Sequence, residues 1–138
     1  QGISVLIHCG DLTSPGIAAL FSGFRVIHVR GNGDTQPAAI LQELRGANPD
    51  SVSLAVYKGR RGGKNLAAVH GHHPGSLEEL TSSGAYDYIF HGHSHRRRDV
   101  RIGSSRVINP GALGGKKDEA RSFCILDLES DTLTIQWV

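Results

Sequence analysis

Short apolar runs rich in Val and Ile alternate with helix-like segments through the first two thirds of the chain. Residues 3–9 form a nearly continuous apolar run, which is typical of strands buried on both faces, and residues 25–30 form a second strand-like run. A helix is predicted after each run, beginning at Pro15 and at Pro37, because proline is favoured in the first turn of a helix. This alternation of strands and helices predicts an α/β fold.

The middle of the chain predicts a hairpin followed by a helix. Residues 51–58 and 64–70 are strand-like, and the Gly- and Arg-rich residues 59–63 between them are predicted to form the turn. Ser76 followed by Glu79 is the pattern of a capping box, which predicts the beginning of a short helix at this point.

From residue 86 onwards the pattern is mainly one of strands and polar turns. The strands are predicted at residues 86–90, 100–102, 106–109, 122–128 and 132–138. No internal repeat or low-complexity linker interrupts the sequence, so residues 1–138 are predicted to form one domain.

Residue types that bind metals follow four of the predicted strands, each beside a glycine. The four segments are Gly10-Asp11, Gly31-Asn32, His70-Gly71-His72 and His91-Gly92-His93-Ser94-His95. Loops at the carboxyl ends of strands in an α/β fold converge on one crevice, so a shared site is expected. Taken singly, the segments Gly10-Asp11 and Gly31-Asn32 are also ordinary turns, and adjacent His residues also occur on surfaces. The crowding of six of the eight His into residues 70–95 favours the shared site.

The types of the candidate ligands restrict which metal the site can bind. Asp, Asn and His without a thiolate suit Mn²⁺, Fe²⁺, Zn²⁺, Ni²⁺ or Co²⁺. Cys9 and Cys124 form no CxxC pair, and neither is expected to be a ligand.

The chain has no apolar run of about 20 residues, and its first residues do not resemble a signal peptide, which predicts a cytoplasmic chain without a membrane partner. The formal net charge of +2 neither favours nor excludes nucleic acid.

In this order, the four segments resemble sequence blocks of the calcineurin-like metallophosphoesterases, most closely the small single-domain phosphodiesterases of bacteria and archaea. The blocks G-D, G-N-x-D, H after a strand and G-H-x-H are all present, and residues 107–112 resemble the I-N-P-G segment of the small branch. The resemblance covers nearly the whole chain. It implies a two-sheet β-sandwich flanked by helices.

The resemblance also implies a metal-dependent phosphoester hydrolase, in particular a phosphodiesterase acting on a small phosphoester. A binuclear centre of divalent metal ions, with Mn²⁺ favoured, would activate water for attack on phosphorus. By the family pattern, Asp11 bridges the two ions and His95 serves the first. The other ligands of the second ion are Asn32, His70 and His93. The residues that would support the ligand loops or contact the substrate are Gly31, Asp34 and Gly92.

The chain departs from the family pattern in two places. Phosphatase branches have His, the acid assigned to the leaving group, at the third position of G-N-x-D, whereas this chain has Gly33. His72 is then the candidate proton donor, with support of the neighbouring ligands as its alternative role, and phosphodiesters with good leaving groups are favoured. No D-x-H block precedes the first segment, so the first ion would have only Asp11 and His95. Together with the absence of Met, this predicts that Gln1 is an internal residue of a longer chain with a leading strand and helix.

The same residues allow other functions. The main alternative is a non-catalytic scaffold on the same fold, like the retromer subunit that resembles this family. A metallo-β-lactamase is excluded because residues 96–99, Arg-Arg-Arg-Asp, do not complete its H-x-H-x-D-H signature after His95. The three arginines would suit a nucleic-acid backbone, but adjacent strand residues point to opposite faces, so a solvated edge is favoured.

Overall fold

The structure, a computed structural model, describes residues 2–115 and 119–138. Gln1, on which the prediction of a longer chain partly rests, lies outside these residues. The helices are α1 (Pro15–Ala18), continued by a 3₁₀ turn (Ala19–Phe21), α2 (Pro37–Ala47) and α3 (Ser76–Ser82). The strands are β1 (Val5–His8), β2 (Arg25–Val29), β3 (Val52–Leu54), β4 (Val56–Arg61), β5 (Lys64–Val69), β6 (Tyr88–His91), β7 (Arg98–Ile102), β8 (Ser105–Asn109), β9 (Ser122–Asp127) and β10 (Thr132–Trp137). None of these helices combines the length and apolar character needed to cross a membrane.

The strands form a parallel sheet, a mixed sheet and a separate hairpin. The parallel sheet has the order β1-β2-β3, and the mixed sheet has the order β4-β5-β6-β8-β7 with antiparallel strands at both edges. β9 and β10 form the antiparallel hairpin. Mixed sheets flanked by helices confirm the predicted α/β fold class. The single strand predicted at residues 51–58 is wrong, because the chain passes at Ala55 from β3 in one sheet to β4 in the other.

Apolar side chains fill the spaces between the sheets and the elements that cover them. The core between the parallel sheet and helices α1 and α2 contains Leu12, Ala18, Val26, Ile40 and Leu44. The core between the mixed sheet and α3 contains Ala67, Val69, Leu80, Ile89 and Val107. The core between its other face and the β9–β10 hairpin contains Leu66, Tyr88 and Ile108 with Leu126, Leu128 and Leu133. Because neighbouring residues of a strand point to opposite faces, both faces of the mixed sheet are covered.

Two local sequence predictions are wrong in detail. Residues 59–61 belong to β4, and the turn consists of Gly62 and Gly63, whose φ values of 54° and 75° suit a tight two-residue hairpin turn. Ser76 does not form a capping box, because α3 begins at Ser76 itself and its N-cap is Gly75. The Ser76 hydroxyl instead donates to the carbonyl oxygen of His73.

The middle residue of the three adjacent arginines is held by structural contacts. The Arg97 guanidinium lies 4.4 Å from the centroid of the Trp137 ring and 3.2 Å from a carboxylate oxygen of Glu119. These contacts join the residue before β7 to the last strand. A solvated edge, rather than a nucleic-acid surface, stays the prediction for this segment.

The buried carboxylate of Asp34 ties together the loops that follow β1 and β2. Its oxygens accept hydrogen bonds from the backbone N–H groups of Asp11, Thr13 and Gly31 at 3.0, 2.7 and 2.7 Å. Oδ2 also accepts a hydrogen bond from Nε2 of the fully buried His28 at 3.0 Å. Burial opposes ionisation of Asp34, but the hydrogen bonds from His28, Gly31 and Thr13 outweigh it and hold the pKa of the carboxyl group well below its ordinary value.

His28 connects this carboxylate to β3 and to the side chain of His8 on β1. Its Nδ1 lies 2.9 Å from Oγ of Ser53, and its ring packs edge-on against His8 with the centroids 5.6 Å apart. Burial and the neighbouring His28 lower the pKa of His8 to about 4. Among the described residues, no hydrogen-bond partner reaches Nδ1 of His8. His8 is therefore neutral at pH 7.

Asp34→Asn is expected to lower the free energy of unfolding by about 2–4 kcal/mol at pH 7, as measured by urea denaturation. The amide would place its own N–H₂ group among donors and could no longer accept all four hydrogen bonds. Because the pKa of Asp34 is depressed, its contribution is present above the ordinary carboxyl pKa of about 4 and is lost as the pH falls further. The difference from the wild type should therefore shrink below a pH of about 4.

Asp50→Asn is the matched control, because Asp50 is exposed. It should change the free energy of unfolding by less than about 0.5 kcal/mol. Equal effects of the two substitutions would contradict the role given to Asp34.

The lowered pKa of His8 predicts a loss of stability in mildly acidic solution. The unfolded chain, with the ordinary pKa of 6.5, takes up the proton before the folded chain does. Between pH 6.5 and about 4, His8 should therefore contribute a fall in unfolding free energy of about 1.4 kcal/mol per pH unit. Urea denaturation at several pH values should show a shallower slope for His8→Gln, and an unchanged slope would contradict the prediction.

Candidate metal centre

Side chains from both large sheets meet at one ring nitrogen, Nε2 of His70. Asp11 and Asn32 follow β1 and β2 of the parallel sheet, whereas His70 and His93 follow β5 and β6 of the mixed sheet. The distance from Nε2 of His70 is 3.1 Å to Oδ1 of Asn32 and 3.3 Å to Oδ2 of Asp11. It is 3.2 Å to Nδ1 of His93. The structure thus brings together four of the five predicted metal ligands.

The hydrogen bonding of His70 leaves a lone pair facing this cluster. Nδ1 of His70 donates to the carbonyl oxygen of Cys9 at 2.7 Å, so Nε2 of the neutral ring carries no proton. The oxygens of Asn32 and Asp11 that face it are also acceptors, which leaves His93 as the neighbour able to offer a proton. Acceptors that face one another repel unless a proton or a cation lies between them, and the burial of His70 strengthens this repulsion. A carbonyl partner on the opposite ring nitrogen is typical of His residues that bind metals.

The spacing of these atoms fits ligands arranged around one divalent ion. Nitrogen and oxygen ligands at about 2.1 Å from a metal lie roughly 3.0–3.4 Å apart in octahedral or tetrahedral geometry. The three distances to Nε2 of His70, 3.1, 3.2 and 3.3 Å, lie within that range. Across residues 2–115 and 119–138, no group of three or more His, Cys, Asp or Glu is arranged to hold an ion. The side chains that meet at His70 include the amide oxygen of Asn32, and this donor set of Asp, Asn and His suits a divalent transition metal.

The ligand loops hold their backbone in an uncommon conformation. Asp11, His93 and His95 have φ values of 57°, 64° and 58°. Residues other than glycine seldom adopt this left-handed region, and those held there cluster at functional sites. The N–H of Gly33 donates to Oδ1 of Asp11 at 2.7 Å, while the N–H of Asp11 is bound by Asp34. These two bonds fix the direction in which the Asp11 carboxylate points.

Gly31 and Gly92 lie where neighbouring loops touch. A Cβ atom on Gly31 would collide with Oδ1 and the backbone N of Asp11. A Cβ atom on Gly92 would lie 2.7 Å from the carbonyl oxygen of Cys9. A larger residue at either position would push the loop after β1 away from its neighbours. Support of the ligand loops by these glycines therefore has a steric basis, whereas contact with substrate stays a prediction.

Asn109, at the end of β8, holds the loop that carries His93. Its side chain is 1% exposed, and Nδ2 donates to the carbonyl oxygen of Gly92 and to Oγ of Ser94, both at 3.1 Å. The motif-like residues 107–112 give no indication of this role by themselves. The available signal is a polar amide directly after an apolar strand, because a buried amide must find partners.

Of the two other predicted residues, His72 lies beside the cluster. The ring of His72 is 5.2 Å from that of His70 and 3.9 Å from that of His73. Burial and the neighbouring His73 lower the pKa of His72. His95 lies next to Gly115, where an added Cβ would come within 3.1 Å of Cε1 of His95.

Relatives of known family share this sequence over most of its length. The family model of the calcineurin-like phosphoesterase superfamily domain matches residues 1–131. A phosphodiesterase of Methanocaldococcus jannaschii is 28% identical over 131 residues, which are 94% of this chain and 79% of the relative.

Solved structures share the fold. An archaeal phosphodiesterase superposes with a TM-score of 0.92 at 27% identity, over 99% of this chain and 84% of that chain. Wild-type Vps29 from Entamoeba histolytica, in complex with Zn²⁺, superposes with a TM-score of 0.71 at 19% identity, over 96% of this chain and 73% of its own. The likeness to Vps29 concerns the fold alone. Since the family model matches residues 1–131 of the 138, the chain belongs to the calcineurin-like phosphoesterase superfamily.

Proposed function

We propose that the chain is a metal-dependent phosphodiesterase acting on small phosphoesters. The superfamily supports phosphoester hydrolysis, and the relative that is 28% identical is a phosphodiesterase. The observation that carries the proposal is the meeting of the Asp11 and Asn32 oxygens at Nε2 of His70, whose Nδ1 bonds to the carbonyl oxygen of Cys9. Such a group of acceptors suits a divalent cation, which is what hydrolysis of a phosphoester requires in this family.

Two sets of side chains would hold two divalent ions, with Mn²⁺ as the expected metal. The first set is Asp11 and His95, and the second is Asp11, Asn32, His70 and His93. When bound, the ions supply Lewis-acid stabilisation of the phosphoryl oxygens and a nucleophilic water. The carbonyl of Cys9 fixes the tautomer of His70, and the N–H of Gly33 orients Asp11. Because that water is the nucleophile, none is needed from the protein. Ser94 serves as a spacer, and its hydroxyl oxygen accepts a hydrogen bond from the Asn109 amide.

The environment of Gly33 favours substrates whose leaving group departs without receiving a proton from an acid. Gly33 presents only its backbone N–H, which is bound to Asp11, so this position offers no proton to a leaving group. His72 is the candidate donor, because its ring lies beside that of His70 at the edge of the cluster. Aryl phosphodiesters are therefore the expected substrates, ahead of alkyl monoesters.

A non-catalytic scaffold is the second candidate function. The observation in its favour is the likeness of the fold to Vps29 at a TM-score of 0.71. Fold alone does not decide between the two, because one fold carries different functions according to the residues at its site. The acceptor cluster at His70 favours the enzyme.

Asp11→Asn and His93→Ala are expected to lower kcat/KM for bis(p-nitrophenyl) phosphate in the presence of Mn²⁺ by about 100-fold or more. Asp11→Asn replaces the charged carboxylate ligand by a neutral amide, and His93→Ala removes a ligand. Turnover assays with Mn²⁺, Ni²⁺, Fe²⁺, Zn²⁺ and Co²⁺ in turn would measure this loss. Calorimetric titration with Mn²⁺ should show weaker binding in both variants.

Asp50→Asn, the same chemical change as Asp11→Asn at an exposed position, is the control and should retain the wild-type kcat/KM. Undiminished turnover in Asp11→Asn and His93→Ala would overturn the metal assignment. A chain that binds Mn²⁺ but hydrolyses no phosphoester would support the scaffold.

The leaving-group preference can be tested with His72→Gln. The comparison uses two diesters that differ only in the leaving group. The substitution should lower kcat/KM at least about tenfold more for the diester that releases an alkoxide than for the diester that releases p-nitrophenolate, because only the alkoxide needs a proton. Steady-state kinetics with both substrates would measure the difference. Equal losses would remove His72 from the role of proton donor and leave it with support of the neighbouring ligands.

A further inference from the structure

A cavity of about 340 Å³ opens beside the candidate metal centre. One wall comes from the loop that carries Asn32, through Gly31 and Asp34. Another comes from the segment after His70, through His72 and its neighbour His73. The cavity therefore adjoins the proposed metal ligands without being formed by their side chains, as a space for the rest of a substrate would.

Arg30 gives this cavity a positive charge. Its side chain is exposed, and Nη1 donates to the carbonyl oxygen of Ser53 at 3.2 Å. Within the described part of the chain, no carboxylate forms an ion pair with Arg30 and its remaining guanidinium N–H groups have no partner. Asp34 lines the same cavity, but its oxygens already accept four hydrogen bonds. The guanidinium is therefore available to an anion from solution.

The bond to Ser53 directs the guanidinium towards β3. Asp11 follows β1, Asn32 follows β2, and Ser53 belongs to β3, so the three lie in the strand order of the parallel sheet. Neighbouring strands are about 4.8 Å apart. An anion bound by Arg30 would thus lie one or two strand spacings, roughly 5–10 Å, from a phosphorus atom held at the metal ligands.

The wall of the cavity consists in part of carbon. Pro37, Ala55, Val56 and Val69 contribute apolar surface to the cavity. A short carbon chain fits such a surface better than a further charged or strongly hydrated group does.

We propose that this cavity binds the non-leaving ester group of the substrate and that Arg30 binds a second anionic group, a carboxylate or a phosphate, at its end. The inference rests on the proposed phosphodiesterase function and names its substrate class. Preferred substrates are phosphodiesters in which a short carbon chain carries a further negative charge. Neutral diesters fill the cavity without using Arg30.

The test compares diesters that share one leaving group and differ only in the far end of the other ester. These are p-nitrophenyl propyl phosphate, p-nitrophenyl carboxyethyl phosphate and p-nitrophenyl phosphonoethyl phosphate. In the wild type, kcat/KM should be higher for the two charged substrates than for the propyl compound. Arg30→Gln should lower that preference by about 10- to 100-fold, mainly through KM. Comparison of kcat/KM between the two charged substrates shows whether a carboxylate or a phosphate is preferred.

Arg60→Gln is the matched control. Arg60 is exposed, lies on β4 near the hairpin turn and donates to the carbonyl oxygen of Gly63, so its substitution removes the same charge elsewhere. It should leave the preference for charged substrates unchanged. An equal loss on all three substrates in Arg30→Gln would overturn the inference, because Arg30 would then act on the reacting phosphate. An unaltered preference would overturn it as well.

A binding measurement separates failure of this inference from failure of the proposed function. The Mn²⁺-loaded chain is titrated calorimetrically with propylphosphonate and with carboxyethylphosphonate, which bind without reacting. Tighter binding of carboxyethylphosphonate by about tenfold, lost in Arg30→Gln, would support the subsite even if no diester is hydrolysed. Equal binding of the two phosphonates by the wild type would overturn the subsite even if diesters are hydrolysed.

Discussion

The arrangement of the candidate site depends on one buried carboxylate. Asp34 accepts hydrogen bonds from the backbone of Asp11, Thr13 and Gly31 and from the ring of His28. An ionised carboxylate taken out of water needs several such donors to offset the cost of burial. Because two of those donors lie in the loop after β1 and one in the loop after β2, satisfying Asp34 fixes both loops at once. The side chain of Asp11 is positioned as a result of this requirement.

The sequence predicted the parts of the site that depend on local order. A run such as residues 3–9 predicts a strand, and the polar residue that follows it has to lie at the end of the strand. For the same reason the positions of Asn32, His70 and His93 at strand ends could be predicted. Their meeting at one nitrogen could not, because it depends on how two separate sheets approach each other. The burial expected on both faces of the run at residues 3–9 is wrong, because β1 is an edge strand that is only half-buried and Ile3 is exposed.

Features that depend on distant partners were missed. Asp34 could be predicted to support the loops, but its bond with His28 joins residues on which the local pattern gives no information. Asn109 acts across sequence distances of 15 and 17 residues, on Ser94 and Gly92. The chain divides at Ala55 because β3 and β4 pair with strands of different sheets, and a continuous strand-like pattern does not reveal such a change. Local periodicity identifies strands, whereas long-range hydrogen bonding decides which sheet each strand joins.

The bond from His70 to the carbonyl oxygen of Cys9 crosses from the mixed sheet to the parallel sheet. Any ion held by Asp11 and His70 would span the same junction, so its binding would strengthen the contact between the sheets. An ion that binds only the folded chain adds about 2.7 kcal/mol of stability at a concentration 100 times its Kd. The resistance of this protein to heat and to proteolysis would then rise with the concentration of the metal ion around it. The same ion would serve both the stability of the fold and the hydrolysis.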